Sequence, residues 1–197
     1  MKLFYAPASP YSAKALIAAK VAGVPVDTVV TDTRVQAPEL TDVNPLGRIP
    51  VLLTDDGLAI HDSRVITQYL NRVSGNRLFP RQAAKRTDAE LLESVADGIC
   101  DYLLDHVYER RFRPEEKVHG PWLDRLWSKA VRALDRLDEG PPKLSGRLNA
   151  GQIALRCCLA YLELRFPGAW QHKHGKLRRW AKKFDRKYPE LVPLLPH

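Results

Sequence analysis

Four consecutive residues near the start of the chain, Ser9-Pro10-Tyr11-Ser12, bring two hydroxyls and a phenol to a place where chemistry is possible. They follow a short apolar run, Leu3 to Tyr5, and precede a helical pattern. Ser as N-cap with Pro at the first helical position is a strong helix start. A helix mouth is also where main-chain N–H groups lack partners and a partial positive charge gathers, so it favours anions. Ser9 is therefore either a catalytic hydroxyl or the cap of its own helix.

Two further places have the same double character. Asp62-Ser63 opens a second helix, where Ser63 could add its hydroxyl to a bound carboxylate and Asp62 could take an ammonium. The competing reading is a plain cap with a solvated neighbour. Pro50, after Gly47-Arg48-Ile49, stands directly before a strand pattern and could simply be a trans proline opening an edge strand.

The elements that must position these residues follow from pattern. Leu3–Tyr5 reads as a strand, and the helix from Ser9-Pro10 has a small-residue face of Ala15, Leu16, Ala18, Ala19 and Ala22 before Gly23 ends it. Val26–Thr31 reads as a second strand, followed by a weakly patterned loop over 32–47. Val51–Thr54 and Leu58–Ile60 flank Asp55-Asp56-Gly57, a hairpin signal. Val65, Ile66, Tyr69 and Leu70 then repeat at helical spacing. The order β-α-β-(α)-β-β-α matches a thioredoxin-like unit. In such a unit Pro50 is expected cis, with the main chain of Val51 turned outward to pair with an extended ligand.

From Val73 to Lys85 the pattern breaks, and everything beyond reads helical, with helices predicted near 84–112, 121–139, 149–166 and 175–187. The predicted fold is α+β: a thioredoxin-like domain over 1–79, a connection at 80–85 and an all-helical domain over 86–197.

Bulk properties bound the rest. The chain has 197 residues, 45% of them apolar, and lacks an apolar run of the roughly 18 residues a membrane helix needs. With no signal-peptide pattern, a cytoplasmic location is expected. Cys100, Cys157 and Cys158 lack disulfide or zinc-ligand spacing and suit buried apolar positions; no metal is expected. The net charge of +8 suggests a nucleic-acid partner until it is mapped. Residues 1–80 carry eight Lys/Arg against seven Asp/Glu, whereas 171–188 hold eight Lys/Arg against Asp185 alone. That segment, with Trp180 and Phe184 four residues apart, reads as the solvated face of a surface helix, with an acidic or polyanionic partner as the alternative.

Ser9-Pro10, 44-NPLGRIPVL-52, Asp62-Ser63 and the helical second half together resemble the glutathione S-transferase superfamily, over essentially the whole chain. The resemblance implies a homodimer that uses glutathione as co-substrate, in detoxification of small hydrophobic electrophiles. It implies a glutathione site made of Arg48, Ile49, Pro50, Val51, Asp62 and Ser63. Ser63 would take the γ-glutamyl carboxylate, Asp62 the ammonium, the Val51 main chain the cysteinyl unit and Arg48 the glycyl carboxylate. The thiol would then sit beside Ser9, which acts as hydrogen-bond donor to the thiolate. Lowering a thiol pKa of about 8.5 by two units needs roughly 2.7 kcal/mol, within reach of a hydroxyl and helix-mouth N–H groups. Tyr5, at the end of the first strand, and Ser12, one turn into the helix, compete for that role.

The family's glutaredoxin relatives carry C-P-Y-C at this turn; with Ser9 and Ser12 there instead, disulfide exchange by that route is not expected. Tyr5, Pro10, Tyr11, Tyr102 and His106, with Trp170, are the candidates for an electrophile pocket. Asp97 or Asp101 would reach the ammonium of a partner's glutathione. At 149–152 the family's Ser/Thr-x-x-Asp is replaced by Asn149 and Gln152, still a workable capping box. A non-catalytic binding protein, or a glutathione-dependent isomerase, dehalogenase or peroxidase, are the alternative functions.

Overall fold

The computed structural model describes residues 1–35 and 37–197; residue 36, within the predicted 32–47 loop, lies outside them. Strand β1 (Lys2–Tyr5) runs parallel to β2 (Asp27–Val30) across helix α1 (Pro10–Ala22). Strand β3 (Val51–Leu53) is antiparallel to β1, and β4 (Ala59–Ile60) is antiparallel to β3, giving the order β2-β1-β3-β4. Side chains alternate across this sheet. The paired Leu3 and Leu52 enter the main core, while the paired Phe4 and Val51 meet Leu40 of the short helix α2 (Pro38–Thr41) on the other face.

Helix α1 is wedged between the sheet and the helical half, which its alanines permit: Ala15, Ala18, Ala19 and Ala22 are buried. Gly23 ends it in the left-handed conformation, φ +73°, and a Cβ there would lie 2.8 Å from the Arg77 guanidinium. Helix α3 (Ser63–Val73) buries Ile66 and Leu70, but Val65 is exposed and Tyr69 half-buried. The inward stripe is instead completed by Thr67 and Asn71. Asn71 Oδ1 accepts the Leu78 and Phe79 main-chain N–H groups, both at 3.0 Å. It thereby locks Leu78 and Phe79 into the core just before the predicted connection, inside which the next helix already begins.

The helical half comprises α4 (Ala83–Phe112), α5 (Gly120–Glu139), α6 (Ala150–Arg165) and α7 (Gly175–Lys187). Every residue of α6 from Ala150 to Leu162 is buried, so this helix is the centre of the half. Its start is the capping box expected from Asn149 and Gln152, each side chain bonded to the other's main-chain N–H at 3.0 Å. Trp170 is fully buried in the same core. On α7, Trp180 and Phe184 face inward and the Arg156 guanidinium holds Asp185, while Arg178, Arg179, Lys182, Lys183 and Arg186 face solvent. A 3-10 turn, Pro189–Leu194, folds the tail back onto α1, where the His197 N–H reaches the Pro7 carbonyl at 3.3 Å. One hydrophobic core runs from Leu3 to Leu195 through both halves.

The fold is therefore α+β: a thioredoxin-like sheet with its helices, followed by an all-helical domain.

Candidate functional site

The mouths of α1 and α3 and the loop before β3 open into one cleft of about 800 Å³, walled on the far side by α4 and α6. It gathers Ser9, Pro10, Tyr11, Arg48, Ile49, Pro50, Asp62 and Ser63. The other candidates lie elsewhere. Val51 is fully buried and is not among the lining residues, so it can offer the cleft only main-chain groups. Tyr5 packs against the main core beneath the cleft. Tyr102 turns its ring to the Lys129 ammonium, 4.8 Å from the ring centroid, and His106 stacks edge-on against Phe166 at 5.1 Å. Neither faces the cleft, because both sit on the sides of α4 turned to the helical half; Trp170 is core.

At the α1 mouth the Ser9 Oγ accepts the Ser12 N–H at 3.2 Å, and the Ser9 carbonyl accepts from Ala13. Pro10 has no N–H, so the Tyr11 N–H is the one left without a partner among the described residues of this first turn. Ser12 is fully buried and does not line the cleft, its hydroxyl accepting from the Ala6 N–H, so its burial is what removes it as a donor to a ligand. A hydroxyl has one proton and two lone pairs, so capping leaves the Ser9 proton free. The Tyr11 phenol is committed to Asp101 and is raised well above its ordinary pKa, by burial first, with Cys100 and Asp101 adding to it. It is a neutral wall.

The loop carrying Arg48 is built by Asn44, buried beneath it. Its side-chain amide donates to the Arg48 carbonyl at 2.7 Å and accepts the Leu46 N–H at 3.1 Å. The Ile49–Pro50 peptide that follows is cis, as is His61–Asp62. Arg48 is exposed and acts electrostatically on Asp105 of α4. Asp105 itself is raised by partial burial and by Asp101, and lowered by Arg48.

At the α3 mouth, Asp62 Oδ1 accepts the Arg64 N–H at 2.7 Å, making Asp62 the cap. Ser63 lies just inside, buried and lining the cleft. Beneath them is a charge cluster that sequence reading missed. The Lys14 ammonium, buried in α1, lies 2.6 Å from Asp97 Oδ2 and 3.1 Å from Glu93 Oε1, the second contact an ion pair off the line of a hydrogen bond. The Arg64 Nε donates to the same Asp97 oxygen at 2.8 Å. Burial alone would lower the Lys14 pKa, but Asp97 and Glu93 outweigh it and hold it above the ordinary value. Asp97 is thus spent inside its own chain rather than free for a partner's ammonium, and Asp101 is held by Tyr11. The signal in the sequence was a lysine within an otherwise apolar alanine face.

The arrangement offers an anion two separate helix mouths, each with a hydroxyl, joined by a cis-proline loop. A thioredoxin-like sheet with this cleft, closed by an all-helical second half, defines the glutathione-transferase architecture. Comparison with known proteins agrees: residues 8–73 match the family profile for the glutathione S-transferase N-terminal domain, and 120–183 that for the C-terminal domain. A glutathione S-transferase from Methylobacillus flagellatus KT, solved with glutathione bound, is 31% identical over 100% of this chain and 99% of its own, with a TM-score of 0.90. A family member from Pseudomonas fluorescens Pf-5 with bound glutathione is 32% identical over 100% and 98%, also at 0.90. An uncharacterized GST-like protein of Escherichia coli (strain K12), YibF, is 33% identical over 127 residues; the matched part spans 62% of each chain. The chain belongs to the glutathione S-transferase superfamily.

Proposed function

We propose that the protein is a glutathione transferase in which Ser9 stabilises the glutathione thiolate for attack on small hydrophobic electrophiles. The observation that carries this reading is the Ser9 hydroxyl, which caps α1 as an acceptor and so keeps its proton for the cleft. With a thiolate beside it, that proton and the Tyr11 N–H would supply two donors at the positive end of a helix. Ser63 and the α3 mouth would take the γ-glutamyl carboxylate, the second oxygen of Asp62 the ammonium, the Val51 main chain the cysteinyl unit and Arg48 the glycyl carboxylate. The bound glutathione of the M. flagellatus and P. fluorescens relatives supports glutathione as the ligand. The reaction forms a carbon–sulfur bond as the electrophile's leaving group departs, and the thiol proton passes to solvent.

We further propose a cytoplasmic homodimer. Val65 and Val73 on α3 and Leu91 and Val95 on α4 are exposed apolar side chains that a second copy would cover. Among the described residues no helix is long and apolar enough to cross a membrane.

The test is retention on immobilised glutathione together with turnover of a dinitrohalobenzene. Both are expected. Retention without turnover would replace the enzyme by a binding protein of this fold, for which the exposed basic face of α7 would be the interaction surface; loss of both removes the reading.

A further inference from the structure

The end of the cleft away from the α3 mouth is built by the last turns of α4 and α6, and its chemistry is not that of a purely hydrophobic pocket. Tyr108, Arg111 and Phe112 come from α4, and Tyr161 and Arg165 from α6. Arg111 lies over the Tyr108 ring at 5.6 Å and Arg165 over the Tyr161 ring at 6.0 Å. These contacts fix two guanidiniums at the rim.

Neither guanidinium has a carboxylate within ion-pair distance among the described residues, although carboxylates are near. Asp32 is within electrostatic reach of Arg111, but both its oxygens are held by Arg34, at 2.6 to 3.0 Å. Asp101 is held by Tyr11, and Asp105 is under the influence of Arg48. Tyr161 is only 2% exposed yet lines the cleft within electrostatic reach of both arginines, and its hydroxyl has no hydrogen-bond partner among the described residues. Burial first of all lifts its pKa to about 12, against the pull of Arg165 and Arg111, so it remains a donor at neutral pH. A phenol hydroxyl open to the cleft, near two guanidiniums without carboxylate partners and beside aromatic rings, suits an anion attached to a planar group.

We propose that Arg111, Arg165 and Tyr161 recognise a carboxylate on the electrophile, so that the second substrate is a planar, aromatic or conjugated electrophile carrying an acid group. The inference rests on the transferase reading above and narrows its substrate class. The guanidiniums supply charge-assisted donors, Tyr161 a neutral one, and Tyr108 and Phe112 the faces against which the ring lies.

The test compares 4-chloro-3,5-dinitrobenzoate with its methyl ester. In both, the glutathione sulfur bonds to the carbon bearing chlorine, the C–Cl bond breaks with release of chloride, and the thiol proton goes to the buffer. Relative to the uncatalysed rates, kcat/KM is expected to favour the acid by about tenfold or more. In Arg111→Gln and Arg165→Gln the acid should lose about tenfold more than the ester, and in Tyr161→Phe a smaller factor. An acid-to-ester ratio unmoved by all three variants overturns the proposal. Calorimetric binding of the preformed S-(4-carboxy-2,6-dinitrophenyl)glutathione and its methyl ester needs no turnover. Preference for the carboxylate conjugate, erased by Arg165→Gln, upholds the site even where neither electrophile is turned over, in which case the transferase reading alone fails. Equal binding of the two conjugates, or none, overturns it.

Discussion

The Ser9 side chain accepts the Ser12 main-chain N–H at 3.2 Å, and that direction matters more than the distance. An acceptor role satisfies the helix and leaves the hydroxyl proton unassigned, so capping and thiolate stabilisation use different parts of one group.

Substitutions at Ser9 should therefore separate the two roles. Ser9→Ala loses both, with about 1 kcal/mol of stability and at least about tenfold in turnover. Ser9→Asp keeps a strong cap at a helix mouth that favours an acid, but sets a negative charge against the thiolate. Its melting temperature should stay close to the parent's while turnover falls below that of Ser9→Ala. Turnover within about twofold of the parent in Ser9→Ala would remove the serine from the mechanism.

Much of this site was legible because caps, turns and strand starts are local. Ser9-Pro10, Asn44 to Pro50 and Asp62-Ser63 each act within a few residues of themselves, and the structure brings all three to one cleft. The α4 candidates fared differently. Tyr102 and His106 stand on the same long helix as Asp105, which lines the cleft without having been a candidate, and which of the three faces the cleft depends on how α4 rotates against α1 and α6. That rotation is set by long-range contacts such as Lys14 with Asp97, 83 residues apart, which no periodicity reports. The exposed Val65 has a similar origin: Asn71 is turned inward, where it accepts the Leu78 and Phe79 N–H groups beyond its own helix.

Gly151 and Gly98 provide a contrasting pair in helices. A Cβ at Gly151 would lie 2.4 Å from the Ala89 carbonyl oxygen and 2.9 Å from Leu92 Cβ, whereas at Gly98 it would meet nothing within 4 Å. Alanine is the better helix former by roughly 1 kcal/mol at either position. At Gly98 that gain should appear, raising the melting temperature. At Gly151 the neighbour is backbone and α4 must move, so an overpacking cost of about 1–3 kcal/mol or more should outweigh it and lower the melting temperature. A stabilised Gly151→Ala would mean that α4 and α6 are less closely apposed than described.

His106 should prove structural. Burial, then Arg110, lower its pKa from 6.5, so the fold favours the neutral ring. Stability from this group is present above about pH 6.5 and is lost as pH falls through the lower folded value. His106→Gln should therefore lose less melting temperature than the parent between pH 7 and pH 5. Its turnover of a dinitrohalobenzene should stay within about twofold, since the ring packs on Phe166 away from the cleft. A tenfold loss of turnover would return His106 to the chemistry.

Lys14 decides whether the charge cluster beneath the cleft is held together by its cation. Its side chain is 1% exposed, and Glu93 and Asp97 are 5% and 6% exposed, so removing it strands two carboxylates out of water. Lys14→Met should cost about 3–5 kcal/mol at pH 7 in urea unfolding. Burial, with Asp97 adding to it, already raises the Glu93 pKa despite the pull of Lys14. A raised carboxylate favours the fold below its unfolded pKa and loses that contribution as pH rises through the folded value. Without the ammonium the raise grows, so the variant's deficit should shrink on acidification from pH 7 to pH 5. Glu93→Gln added to Lys14→Met should recover part of it at pH 7 by removing one stranded charge. Arg64, half-exposed at the cleft floor, still neutralises Asp97, so the recovery belongs mainly to Glu93. A deficit of equal size at both pH values would mean that lost packing of the lysine stem, and not the stranded carboxylates, is what the substitution exposes.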